Sequence, residues 1–119
     1  MLCVNNDMND QEPPVYRAAY DLTIAVSRYV KDCDKEYKGT LGLLMQSEVL
    51  ALELSLYHVN DGDKLNLIQK ALDSCYATRM IARLLLDLGI MKLETSISIN
   101  LKIEEVGRQL GGWKKSLSV

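Results

Sequence analysis

Catalysis and metal binding both need particular side chains brought together, and this chain supplies few of them. It has one histidine, His58, and three cysteines, Cys3, Cys33 and Cys75, with no C-x-x-C pair. Neither a zinc site nor a disulfide framework therefore has its ligands, and the odd thiol count points to a reducing, intracellular compartment. A di-iron site in a helical core calls for Glu-x-x-His on two helices, but the residue three before His58 is Ser55. His58 reads as a boundary or interface residue rather than a ligand or base, and Cys33 and Cys75 as small core residues. The Gly-rich segment Gly107-Arg-Gln-Leu-Gly-Gly112 follows no strand, so it is not a phosphate cradle. The expectation is a protein that is not an enzyme and uses no metal and no cofactor.

What remains is charge. Fourteen basic and sixteen acidic residues give a net charge of −2 and a pI near 5.4 across 119 residues, which argues against a uniformly basic surface. The distribution is polarised. Asp7, Asp10 and Glu12 make the first fourteen residues acidic with no base, whereas Arg108, Lys114 and Lys115 make the last thirteen basic with no acid.

The elements that must position these groups follow from apolar spacing. Residues 1–12 are polar and acidic without periodicity and read as a flexible lead, and Pro13-Pro14 suits a helix entry into one domain over 13–119. Val15, Ala19, Leu22, Val26, Tyr29 and Cys33 step by three and four, predicting a first helix over about 14–33. Asp34 to Gly39 reads as a polar link, with Thr40 capping a second helix over about 40–60. That helix is apolar at twelve of nineteen positions between Leu41 and Val59, too many for one buried face, so it is expected to meet two neighbours. Asp63 caps a third helix that runs to Leu88, and Gly89 ends it. After a short link at 90–92, Ile99, Ile103, Val106, Leu110, Trp113 and Leu117 mark a fourth. The expected fold is all-α, an antiparallel up-down four-helix bundle. No apolar run approaches the ~18 residues of a membrane span, and the first residues lack a signal peptide's basic and apolar regions.

Two features of these helices ask for an explanation beyond folding. Arg79 falls within the apolar stripe of Ile68, Leu72, Cys75, Ala82 and Leu86, with Arg83 at its edge. Either these arginines pair with Glu48 or Glu53 of helix two, or they form a basic patch for phosphates. Arg108 and Lys115 lie opposite the stripe of helix four, where a Glu104–Arg108 pair on a solvated face accounts for them. Gly107 and Gly111 each cost about 1 kcal/mol relative to alanine in a helix interior. Their gain is either close approach of another helix or chain, or simply a locally thin bundle.

The segment Ile103-Glu-Glu-Val-Gly-Arg-Gln-Leu-Gly-Gly-Trp-Lys-Lys-Ser116 resembles the helix-four pattern of the Avd accessory proteins of diversity-generating retroelements, relatives of the four-helix-bundle proteins encoded in rRNA intervening sequences. Val15-Tyr16 with Tyr20-Asp21, Lys38-Gly-Thr-Leu-Gly42, Arg79-Met-Ile-Ala-Arg83 and Leu86-Asp-Leu-Gly89 support the likeness. Residues 40–60 contain no proline, unlike the Ser-Ile-Pro-Ser-like stretch typical of the intervening-sequence branch. The resemblance implies a cytoplasmic homopentamer that binds a reverse transcriptase and RNA or DNA during mutagenic retrohoming. It assigns Arg79, Arg83 and Arg108, with Lys114 and Lys115, as candidate partner or nucleic-acid contacts. Gly107, Gly111, Gly112 and Trp113 become helix-packing motif residues. The alternative is a homo-oligomer of the intervening-sequence type with a structural or protein-interaction role and no nucleic-acid binding.

Overall fold

In the computed structural model, which describes residues 14–117, four long helices enclose one apolar core: α1 (Pro14–Lys31), α2 (Leu43–Tyr57), α3 (Lys64–Asp87) and α4 (Leu93–Leu117). The flexible lead read over 1–12, including Cys3, lies outside the described residues, among which no strand occurs. Each helix packs on the next in sequence, and α1 closes the set against α4. The 43 Å long axis matches the ~38 Å that a 25-residue helix spans at 1.5 Å per residue.

The three-and-four spacing of α1 holds as read: Val15, Ala19, Leu22 and Val26 are buried, and Cys33 is buried just beyond the helix end. Asp63 caps α3 by accepting from the Asn66 backbone N–H at 3.2 Å, satisfying one of the donors a helix start leaves open. Gly89 takes φ +76° just past Leu88, a left-handed conformation that side chains with a Cβ seldom adopt. Buried Thr78 returns its hydroxyl to the Ser74 carbonyl at 2.8 Å.

The entry to α2 departs from the expected link and cap. Asp34 accepts from the Glu36 N–H and starts a single turn, Lys35–Tyr37, which continues into a wide π-helical turn, Lys38–Gly42. Thr40 therefore lies inside a helical turn, donating to the Tyr37 carbonyl, instead of capping a new helix. A Cβ at Gly42 would stand 3.2 Å from the Tyr37 carbonyl oxygen and 3.5 Å from Val30, so glycine lets this turn lie close against α1. Polar composition between Asp34 and Gly39 suggested a longer link; the break is confined to Asp32–Asp34, and from Lys35 the backbone satisfies itself in helical turns.

Candidate interaction faces

α2 carries two apolar stripes on opposite sides. Met45, Val49, Leu52 and Leu56 are buried, while Leu43, Leu50, Leu54 and Tyr57, seven, four and three residues apart, face outward. Leu54 is 59% exposed and Tyr57 76%. Two further rows stand outward at a four-residue spacing: Tyr76, Met80, Leu84 and Leu88 along α3, and Leu93, Ile97 and Leu101 on the first half of α4. At roughly 100 Å² per half-exposed large side chain, each row offers about 300 to 400 Å² of apolar surface, the size at which a patch on a monomer is often functional. The α2 excess was legible in its composition. The α3 row was missed, although its spacing of four, off the core stripe, was available.

The arginines of α3 do not reach into the core. Arg79 is exposed, and among the described residues no ion pair joins it or Arg83 to Glu48 or Glu53. The buried-pair reading is thereby corrected: a long guanidinium stem at the edge of an apolar stripe carries its charge out to water. Arg79 still acts on its own helix. Burial pushes the Cys75 thiol one turn away up to about 12, against the pull of the Arg79 charge. Glu53 is held above the usual carboxylate range by burial, offset in part by the Thr23 hydroxyl. Arg83 spends its charge locally, its Nε donating to both carboxylate oxygens of Asp87 at 3.1 and 3.0 Å.

On α4 the expected Glu104–Arg108 pair is replaced by Glu105–Arg108 at 2.6 Å. One turn of helix brings i+3 and i+4 equally within reach, and Glu105 also accepts from Gln109. These two donors lower the Glu105 carboxyl below its ordinary value. Lys114 is half-buried and donates to Gln69 Oε1 on α3 at 2.6 Å, whereas Lys115 is exposed. Trp113 packs on the core and meets Tyr16 of α1 edge to face, with ring centroids 6.4 Å apart. A Cβ added at Gly107, Gly111 or Gly112 would meet nothing within 4 Å. Among the described residues, no helix needs those glycines for a close approach.

The predicted site residues thus fall into two groups. Arg79 and Arg83 sit on the outer side of α3 with Tyr76 and Met80, and Lys114 ties the end of α4 to the start of α3. Arg108, Gly112 and Trp113 line a depression against the start of α1. His58, read as a boundary residue, is exposed at the end of α2, stacked edge to face on Tyr57 and 3.9 Å from Asp61. Among the described residues, no three His, Cys, Asp or Glu side chains are grouped to hold a metal ion, and no helix is long and apolar enough to cross a membrane.

No family model matches the chain, and no curated protein matches it. Its fold is similar to a 1.70 Å crystal structure of a protein of unknown function from the S23 ribosomal protein family of Bacteroides thetaiotaomicron. The TM-score is 0.79 at 16% identity, over 85% of this chain and 95% of that one. At that identity the likeness concerns the helical fold alone.

Proposed function

We propose that this protein is a non-catalytic, self-assembling accessory of a diversity-generating retroelement. In this reading identical up-and-down bundles form a ring, five protomers by resemblance, that holds the reverse transcriptase and its template RNA or cDNA during mutagenic retrohoming. The observation that carries the assembly is the outward apolar stripe of α2, because monomeric proteins seldom leave contiguous apolar patches of several hundred Å² in water.

The up-and-down arrangement is supported by contacts between helix ends. Tyr16, early in α1, donates to the Leu56 carbonyl late in α2; Trp113, late in α4, meets Tyr16; and Lys114, late in α4, meets Gln69, early in α3. Counting from Gln69 to Tyr76 and from Lys114 back to Gly107 covers about 10 Å in each helix, which sets Tyr76 level with Gly107. Arg79 then lies level with Glu104. An open, glycine-faced stretch of α4 beside an outward aromatic and two arginines suits a phosphate-bearing or protein partner, and ring symmetry repeats the charge around the assembly.

Light scattering at micromolar concentration tests the assembly: a multiple of 13.4 kDa is expected, and the protomer mass throughout would overturn it. Co-purification with a reverse transcriptase and its template RNA tests the partner class. Replacing Arg79 and Arg83 by glutamate is expected to abolish that retention with the ring intact. Retention by the wild-type protein should fall steeply with salt as counterions are released. The second reading, a homo-oligomer with a structural role and no nucleic-acid binding, is favoured by the net charge of −2 and by the local carboxylates on Arg83 and Arg108. A ring that forms but retains neither enzyme nor RNA would select it.

A further inference from the structure

α2 belongs to two sides of the bundle, one shared with α1 and one with α3, and both are apolar outside. Successive helix residues are turned by about 100°, so position round the axis tells which seam a side chain overhangs. Gln46 and Glu53 of α2 reach α1, Gln46 donating to Ser27 Oγ at 2.8 Å and Glu53 meeting the Thr23 hydroxyl. Leu50 and Tyr57 come four residues after them, about 40° further round, and stand over the α1/α2 seam with exposed Tyr20 of α1. Leu43 and Leu54 extend this side outward. Leu44 is turned by about 160–180° from Gln46 and Glu53, onto the flank that meets α3. In an up-and-down bundle α1 and α3 run the same way and turn the same flank to the helix that follows. On α1 that flank carries Tyr16 and Thr23, about 70–90° one way round from the buried stripe. On α3, Leu88 and Leu84 lie about 100 and 140° the other way, over the α2/α3 seam, where the end of α3 comes beside Leu44 at the start of α2.

We propose that copies of this chain join head to tail, the α1/α2 side of one seated on the α2/α3 side of the next. The contact rests on the self-assembling, up-and-down bundle of the proposed function and names the two surfaces that meet. At roughly 100 Å² for each half-exposed large side chain, Tyr20, Leu43, Leu50, Leu54 and Tyr57 offer about 500 Å². Leu44, Leu84 and Leu88, with Met80 at the outer margin, offer about 400 Å². The apolar part of a standard interface, a little over half of ~800 Å² per partner, is about 450 Å². A two-fold dimer through either side would leave the other in water, whereas a head-to-tail contact covers both at once. The two sides adjoin at about a right angle, so each copy turns by about 90° from the last. Such a chain of contacts closes at four copies, or at five where the sides splay to about 108°. α2 then faces the ring axis. Arg79 and Arg83, on the α4 flank of α3, stay outside the contact together with the open glycines of α4.

Mixing two variants of the full chain tests the contact. Leu54→Lys spoils the first side and leaves the second intact; Leu84→Lys does the reverse. Each alone should run at 13.4 kDa in size-exclusion light scattering at micromolar concentration, with helicity unchanged by circular dichroism, where the wild type runs at four or five times that mass. In an equal mixture the intact first side of L84K meets the intact second side of L54K, so the mass should rise to about 27 kDa, twice the protomer, and no further. Should Leu84→Lys lose helicity, Met80→Lys on the same side takes its place. L84K that keeps the wild-type mass, or that pairs with itself, would overturn the head-to-tail contact and leave self-assembly standing. A mixture that stays at 13.4 kDa would do the same. A wild type at 13.4 kDa would overturn assembly and contact together, and one whose mass climbs without limit on concentration would overturn closure.

Discussion

α1 and α2 pack side by side on one core, yet their outer faces have opposite characters. Outside its buried stripe, α1 shows water Arg17, Asp21, Arg28 and Lys31, with Tyr20 the only large apolar side chain among its exposed ones. α2 shows Leu43, Leu44, Leu50, Leu54 and Tyr57. Folding of the single bundle explains the whole of α1, because one apolar stripe is all that a core needs. It leaves half of α2 unexplained. The same apolar residue type on one helix can therefore serve two different contacts, and only its angle around the axis says which.

The largest expected effect comes from the inward side of that comparison. Leu52→Ala removes a fully buried side chain and should lower unfolding free energy by about 2–5 kcal/mol, read by urea denaturation. Next come the open glycines. Gly107→Ala with Gly111→Ala is unobstructed within the chain and should raise the helical stability of dissociated protomers by about 1–2 kcal/mol. The same change should weaken assembly where a partner approaches that face. A double mutant neutral to both measurements would mean that the glycines serve neither purpose.

Smaller again is the titration of Glu53. Burial raises its carboxyl in the folded state, so the folded chain binds the proton more tightly than the unfolded one. Stability from this group is therefore present at low pH and is lost as pH rises from the unfolded value through the raised folded one. Glu53→Gln should lift Tm at pH 8 and leave it nearly unchanged at pH 4, as scanning calorimetry can check. The least change in stability belongs to the outward side. Leu54→Lys should alter the unfolding of the isolated protomer by no more than about 0.5 kcal/mol, while the light-scattering mass falls toward 13.4 kDa. If Leu54→Lys unfolds the chain as Leu52→Ala does, the distinction between the two faces of α2 is lost.

Much of the architecture was legible because it is written in local spacing. Val15 to Val26, the Asp63 cap and Gly89 each act within one helix or one turn, and each appears where its residue type requires. Side chains with several partners in reach were harder. Arg108 has Glu104 and Glu105 within one turn, and only the rotamers decide between them. Arg79 shares a stripe with buried residues, but its stem is long enough to leave it, which angle alone does not reveal. The depression between α1 and α4 was invisible for another reason. It joins Pro14 and Arg17 to residues of α4 some ninety positions away, and no one-dimensional pattern links them.

The wide turn at Lys38–Gly42 gives the chain a place to change length. A π-helical turn holds one residue more than an α-turn of the same rotation. Loss of one exposed residue there, such as Thr40, relaxes the turn to α-helix while α2 keeps its angular phase. Within α2 a single insertion or deletion turns everything beyond it by about 100°, swinging Leu52 out of the core and Leu54 off the outward face. Natural variants of this protein should therefore gain or lose single residues at this turn and not within Leu43–Tyr57, since the rest of α2 is held to its length by having two faces to keep in register.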